Sequence, residues 1–297
     1  MSLRRCLPAL ALVALSTGCV PVSTKPEAAP APVTAPVAAA PAADDRLTAL
    51  AWMQASIEYR LVAGQTWRSA LPSLDRAIKT PTWDALPKED RGDAPATGLP
   101  PAVIVDIDST ILDVTGGDAE GVITGRPFDS VAWNQWAQQA TATAIPGALE
   151  FARAAAARGV TLYYVTNRSP ELAAATLNNL RKLGFPLVDE HQLLTRGLSF
   201  EACQEVGDNK SCRRRDIGKT HRVLLMFGDS LSDFVTVPAN TQEGRDQAVR
   251  PYLAWVGERW FALPNPVYGG WLKSLEGNDP ALPEADKRAN VRATLHP

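Results

Sequence analysis

The sequence predicts an α/β fold, a parallel sheet with helices on both faces plus a small helical domain, and three observations carry that expectation. Apolar runs at 103–105, 160–165 and 223–227 are too short for helices and too uniformly apolar to have a solvent face, which suits strands covered on both sides. Each run ends abruptly in a polar cluster, at Asp106-Ile107-Asp108-Ser109-Thr110, Thr166-Asn167-Arg168-Ser169-Pro170 and Gly228-Asp229-Ser230-Leu231-Ser232-Asp233. Stretches with helical spacing separate the runs, and strands alternating with helices imply a parallel sheet.

Before the first helix, residues 1–18 carry Arg4 and Arg5, an apolar core at 7–15 and then small residues, the pattern of a secretory signal peptide. Gly18 before Cys19 resembles a bacterial lipobox, which would make Cys19 the lipidated first residue of an envelope protein. Val20 rather than Asp after that cysteine favours the outer membrane, facing periplasm or surface. Residues 19–43 collapse to Pro, Ala, Val and Thr, a composition expected to give a disordered or polyproline-like tether. With 32 acids against 30 bases, the chain gives no reason to expect a nucleic-acid polymer as partner.

Asp44 and Asp45 open an amphipathic helix to about residue 70, in which Leu47, Leu50, Ala51, Ile57, Leu61 and Val62 recur at helical spacing with Trp52 and Trp67. A second helix is expected over 73–78, then a proline-marked loop from Pro81 to Pro101. Trp133 and Trp136 fall in a short helix. Pro146 starts another that Gly159 ends, and a helix over 171–183 stops at Gly184. Lys210 precedes a short basic helix to about Thr220. Cys203 and Cys212 remain after the signal and the lipid site are set aside. In an exported chain a disulfide between them is the preferred reading, with two free thiols as the alternative. With three histidines in the chain and neither a histidine nor a third cysteine at ligand spacing, the two cysteines have no metal reading.

Right-handed crossovers would set the three polar clusters along one edge of the sheet. Asp106, Asp108 and Asp229 offer hard oxygen ligands for a cation, with Asp233 one turn away in support. Thr166, Asn167, the loop amides and Lys210 offer donors for an anion. Metal carboxylates beside anion donors are what phosphoryl transfer requires.

The order Asp-x-Asp-x-Thr, a hydroxyl residue with Asn after a strand, Lys, then Gly-Asp-x-x-x-Asp resembles the four motifs of the haloacid dehalogenase superfamily. More closely the chain resembles the class C bacterial acid phosphatases, outer-membrane lipoprotein 5′-nucleotidases, through 52–59, 145–148 and 263–271 as well. The resemblance covers about 44–275 and implies a Rossmann-like core at about 100–112 and 143–275. A small helical part would occupy about 44–95 and 113–142 within a domain of 44–280, before a tail at 281–297. It implies Asp106 as nucleophile and Asp108 as the acid that protonates the leaving group and later activates water. Mg²⁺ would be held by Asp106, the Asp108 backbone carbonyl and Asp229, with Asp233 in support. Thr166, Asn167 and Lys210 would bind the phosphoryl group; Lys219 sits at the far end of its helix. An aromatic clamp for a nucleoside base would come from the Trp133 to Trp136 region and Tyr268, unless these rings fill the helical domain's core. Two positions depart from the family: Ser109 where Glu is usual, and Ser230-Leu231-Ser232 for Asn-Leu-Asn. Arg168 is either a second phosphate ligand or a solvated cation at a helix start, the latter preferred.

The expected function is thus a Mg²⁺-dependent acid phosphatase acting on small phosphomonoesters, nucleoside 5′-monophosphates among them, through an aspartyl-phosphate. Its acidic optimum would follow from the need for a protonated Asp108. A phosphotransferase on the same site and a non-catalytic surface-binding lipoprotein are the alternatives. A membrane anchor is expected, and a homodimer is left open.

Overall fold

The computed structural model describes Asp44–Pro297 apart from Glu201. The signal peptide, Cys19 and the tether lie outside the described residues. In chain order the elements are α1 (Arg46–Ala55), α2 (Ile57–Lys79), α3 (Lys88–Arg91), β1 (Pro101–Val105), β2 (Leu112–Asp113), α4 (Thr115–Thr124), α5 (Ser130–Gln138), β3 (Thr143–Ala144), α6 (Ala148–Ala157), β4 (Thr161–Val165), α7 (Ala173–Leu183), β5 (Leu193–Leu194), α8 (Ser211–Thr220), β6 (Arg222–Gly228), α9 (Gln242–Val249), β7 (Trp260–Ala262), α10 (Gly270–Glu276) and α11 (Glu284–Ala293).

Five strands form a parallel sheet in the order β5-β4-β1-β6-β7, so the first apolar run is the central strand. Side chains of β1 alternate between two cores. Val103 and Val105 face α2, α6 and α7, where Trp67 stacks on Phe227 at 4.2 Å and Phe151 sits 4.7 Å from the same ring. Ile104 faces the other side, among Ile217 of α8, Met226 and Trp260. A smaller cluster of Leu50, Met53, Tyr59, Val122 and Val267 joins α1, the start of α2 and α4. Helices thus cover both faces of the sheet, and the two-residue β5 and three-residue β7 extend it beyond the three runs legible in the sequence.

The N-terminal helices differ from expectation in three ways. The first breaks at Ser56, whose hydroxyl accepts from the Tyr59 N–H as an N-cap. The second then runs through Pro72, which forgoes one backbone hydrogen bond on the exposed face, while the burial of Trp67, Ala70, Leu74 and Ala77 on the other face anchors the helix on both sides of it. The apolar stripe of Leu47, Ile57, Leu61 and Val62 is exposed, at 56, 51, 57 and 44 %, and the buried face is Leu50, Met53, Tyr59, Ala63 and Trp67. Most of α2 therefore packs on the sheet rather than in the small helical part, and Trp83 and Ala85 do likewise. The Trp83 indole and Ala85 N–H donate to the carbonyls of Leu224 and Val223 at 2.7 Å each, where the β1–β6 register slips.

Candidate active site

The site forms where β1, β4 and β6 end. The Asp106 N–H prolongs the sheet with a bond to Phe227 O at 3.0 Å, and Ile107 turns back into the core. Ser109 then takes a left-handed conformation (φ 59°), uncommon for a residue with a β-carbon, and the chain closes on itself through Ser109 N–H to Leu112 O at 2.9 Å. This turn sends the two carboxylates apart. Asp106 is buried, where Thr110 Oγ1 donates to its Oδ2 at 2.9 Å. Asp108 instead meets Arg168, whose Nε and Nη2 donate to its Oδ1 at 3.0 and 2.7 Å.

Lys210, just ahead of α8, is buried and donates to Asp106 Oδ1, to Val165 O at 2.8 Å and to Asp233 Oδ1 at 2.7 Å. Burial disfavours its charge, but the carboxylates of Asp106 and Asp233 more than offset that and raise its pKa. Asp229 accepts from Asn265 Nδ2 at 2.6 Å, and Asp233 accepts from Ser230 N–H at 2.9 Å. Only a glycine at 228 admits Asp233 here, since a β-carbon there would collide with the Asp233 side chain.

Asp106, Asp229 and Asp233 each offer a carboxylate oxygen, all within 4.8 Å of one another. One ammonium faces these three carboxylates, and burial, then repulsion from Asp106 and Asp233, pushes Asp229 well above the usual carboxylate range. Hard oxygen donors with surplus buried negative charge fit a hard divalent cation. The Asp108 side chain lies apart from this cluster, on Arg168.

The β4 cluster supplies the opposing chemistry. Thr166 is wholly buried; its hydroxyl accepts from the Arg168 N–H at 3.2 Å and does not reach the cavity wall. Asn167 does line the cavity, with Nδ2 donating to Asp208 O at 3.1 Å and Oδ1 accepting from Arg213 Nη2 at 2.8 Å. Arg213 also donates to Thr166 O at 2.6 Å and pairs with Glu205 at 2.8 Å. A disulfide joins Cys203 to Cys212 and ties the loop carrying Glu205 and Asp208 to α8.

These groups open into a cavity of about 680 Å³ walled by Arg46, Asp118, Trp133, Tyr268 and Leu272 among others. Trp133 lines it with Arg168 5.4 Å over its ring. Trp136 does not line it; the ring packs beside Gly116 and Gly117 of α4 and, partly buried, against the edge of the main core. The Tyr268 hydroxyl meets Ser109 Oγ at 2.8 Å while its ring stays half-buried at the wall.

Arg168 corrects the preference for a solvated cation: its side chain is 1 % exposed, held by Asp108 and by Thr176 Oγ1 at 3.0 Å. Sequence reasoning also missed Arg213, Asp118 and the role of Asn265. Asn265 lies in a family-like segment, so a signal for it existed; Arg213 stands in an Arg-Arg-Arg run that looks like a solvated helix face.

Residues 33–271 match the family described as HAD superfamily, subfamily IIIB (Acid phosphatase). The chain belongs to this acid phosphatase family. Its fold is similar to that of the class C acid phosphatase from Bacillus anthracis with tungstate bound, at a TM-score of 0.73 and 29 % identity, covering 85 % of this chain and 97 % of that one. A second structure of the B. anthracis enzyme matches at 0.72 with the same identity and coverage. Acid phosphatase 1 of Solanum lycopersicum is 25 % identical over 165 residues, 56 % of this chain and 57 % of the tomato protein. Acid phosphatases of this family hydrolyse phosphomonoesters, and phosphatases of the superfamily typically use a divalent metal.

Proposed function

We propose that the chain is a Mg²⁺-dependent phosphomonoesterase that works through an aspartyl-phosphate on Asp106. The observation that carries this reading is the separation of the two neighbouring aspartates: Asp106 buried against Lys210, Asp108 held by Arg168 at the same cavity. Asp106 attacks phosphorus, the ester P–O bond breaks, and the departing alkoxide takes a proton from Asp108. In the second half Asp108 removes a proton from water, the water oxygen attacks phosphorus, and phosphate leaves Asp106 as a carboxylate again. Lys210 and Asn167 stabilise the phosphoryl oxygens, with Thr166 fixing the turn behind them. Asp106, Asp229 and the Asp108 carbonyl would hold Mg²⁺, with Asp233 in support, and the ion would offset repulsion between carboxylate and phosphate.

Tungstate, bound in the B. anthracis enzyme, is a tetrahedral oxyanion like phosphate, which supports an oxyanion site in this fold. Trp133 and Tyr268 on the cavity wall support nucleoside monophosphates among the substrates, since a base can stack on either ring. Asp106→Asn tests the reading: p-nitrophenyl phosphate turnover disappears while the circular dichroism spectrum is kept. Appreciable remaining turnover would overturn the nucleophile.

Export and lipidation at Cys19, with an outer-membrane location, complete the proposal. They rest on residues 1–43, and no helix among the described residues is long and apolar enough to cross a membrane. The mass of the mature N-terminus is the test; an unmodified Cys19 removes the anchor.

A further inference from the structure

Asp118 lines the same cavity as Asp106 and Asp108 and takes no part in the chemistry above. It stands in the first turn of α4, is 6 % exposed, and no hydrogen bond or ion pair reaches its carboxyl among the described residues. Arg46 is near enough to attract it, but the Arg46 Nε and Nη2 are engaged by Asp44 at 3.0 and 2.7 Å, and Nη2 also donates to Arg126 O at 3.1 Å. The helix N-terminus favours a negative charge, yet burial prevails and, with Asp44 and Asp108 adding to it, raises the carboxyl to about 6. A buried carboxylate without a partner is destabilising, so a ligand that supplies donors gains what the fold lacks.

We propose that Asp118 is a specificity-determining residue: its carboxylate accepts hydrogen bonds from hydroxyls on the alcohol half of the phosphomonoester. Polyhydroxy alcohols, as in sugars and nucleosides, are therefore favoured over plain alkyl alcohols of equal length. The proposal rests on the phosphatase reading. Arg46 lines the same cavity, so a donor and an acceptor share this part of the wall. Hydroxyls, which both give and accept, match that pair. The cavity of about 680 Å³ leaves room for an alcohol beyond the phosphoryl group.

The test compares kcat/KM for ribose 5-phosphate, pentyl phosphate and 5-aminopentyl phosphate in the wild type, Asp118→Asn and Asp118→Leu. In the wild type ribose 5-phosphate leads pentyl phosphate by about tenfold or more, because a site built for donors rejects an analogue that lacks them. The ratio falls toward unity in Asp118→Leu and is intermediate in Asp118→Asn, whose amide oxygen still accepts. An equal ratio in wild type and variants overturns the proposal, and so does a wild type that prefers the aminopentyl ester, which would mark a cation site. Should Asp118→Leu not fold, Asp118→Asn carries the comparison. Calorimetric binding of ribose 5-phosphate to Asp106→Asn, with and without Asp118→Asn, reads the subsite without turnover. Loss of hydrolysis across all three esters in the wild type would instead refute the phosphatase reading, while the binding arm still decides on Asp118.

Discussion

Arg168 grips Asp108 through two nitrogens, Nε at 3.0 and 3.2 Å from its two carboxylate oxygens and Nη2 at 2.7 Å from Oδ1. The pair fixes which way the proposed proton donor points, because Thr176 Oγ1 and the Trp133 ring hold the guanidinium in turn. Arg168→Gln therefore lowers kcat by about 100-fold, the cost of a catalytic group misplaced by about 1 Å. Steady-state kinetics with circular dichroism checks this; a kcat within twofold of wild type removes the positioning role.

Lys210 sits between Asp106 and Asp233 with Asp229 close by. Lys210→Met leaves three crowded carboxylates without their cation, and breaking a buried pair costs about 3–5 kcal/mol. Urea unfolding in EDTA reads that loss directly. A change below about 1 kcal/mol would show that the carboxylates do not depend on this ammonium.

For the metal, EDTA is expected to abolish activity and added Mg²⁺ to restore it. An ion at 100 times its Kd also stabilises the fold by about 2.7 kcal/mol. Asp229→Asn separates the two effects. Because burial and its acidic neighbours make the Asp229 charge unfavourable, the variant is more stable than wild type without metal, yet gains nothing from Mg²⁺. Thermal melts with and without Mg²⁺ decide; an undiminished response in the variant places the ion elsewhere.

The parts of the site legible in sequence are those that follow an apolar run directly. Asp106, Asn167 and Asp229 each sit one or two residues past a strand end, so reading the strands placed them. Lys210 was legible because its helix leads back to β6. Groups whose surroundings come from distant segments were not. Arg213 and Arg214 are wholly buried, and partners remote in sequence help hold them there: Thr166 O and Asn167 Oδ1 for Arg213, Asp90 and Ser232 O for Arg214. Arg168 was misread for the same reason: Asp108 lies 60 residues away. Periodicity misled at α1 and α2, where Leu47, Ile57, Leu61 and Val62 have helical spacing but face solvent, because alanines and Trp67 pack closer to the sheet.

The Cys203–Cys212 disulfide, spanning nine positions, secures the loop whose Asp208 carbonyl accepts from Asn167 and whose Glu205 pairs with Arg213. Replacing both cysteines by serine costs about 2–3 kcal/mol on loop-closure grounds. Because the loop supports a phosphate donor rather than the nucleophile, KM for p-nitrophenyl phosphate rises several-fold while kcat changes less. A fall in kcat at constant KM would show that the loop acts on the chemical step.

Asp118 gives the fold a pH dependence of its own. Arg46, Asp44 and Asp108 are the charged groups that act on it; burial leads, and the carboxyl stands at about 6 against an ordinary 3.8. A carboxyl raised in the folded state binds its proton more tightly there than in the unfolded chain. Its contribution is therefore favourable to folding below about 3.8, is lost as pH rises toward 6, and stays lost above that. The difference is on the order of 3 kcal/mol at 1.36 kcal/mol per pH unit. Asp118→Asn abolishes the titration, so its stability relative to wild type climbs between pH 4 and pH 6.5 and then levels. Urea midpoints for both proteins across that range test the sign: a constant difference would mean that Asp118 finds a partner in solution, and a declining one that it is held as a carboxylate. A climbing difference would mean that the chain keeps, at a stability cost, an unpaired acceptor that a hydroxylated substrate can satisfy.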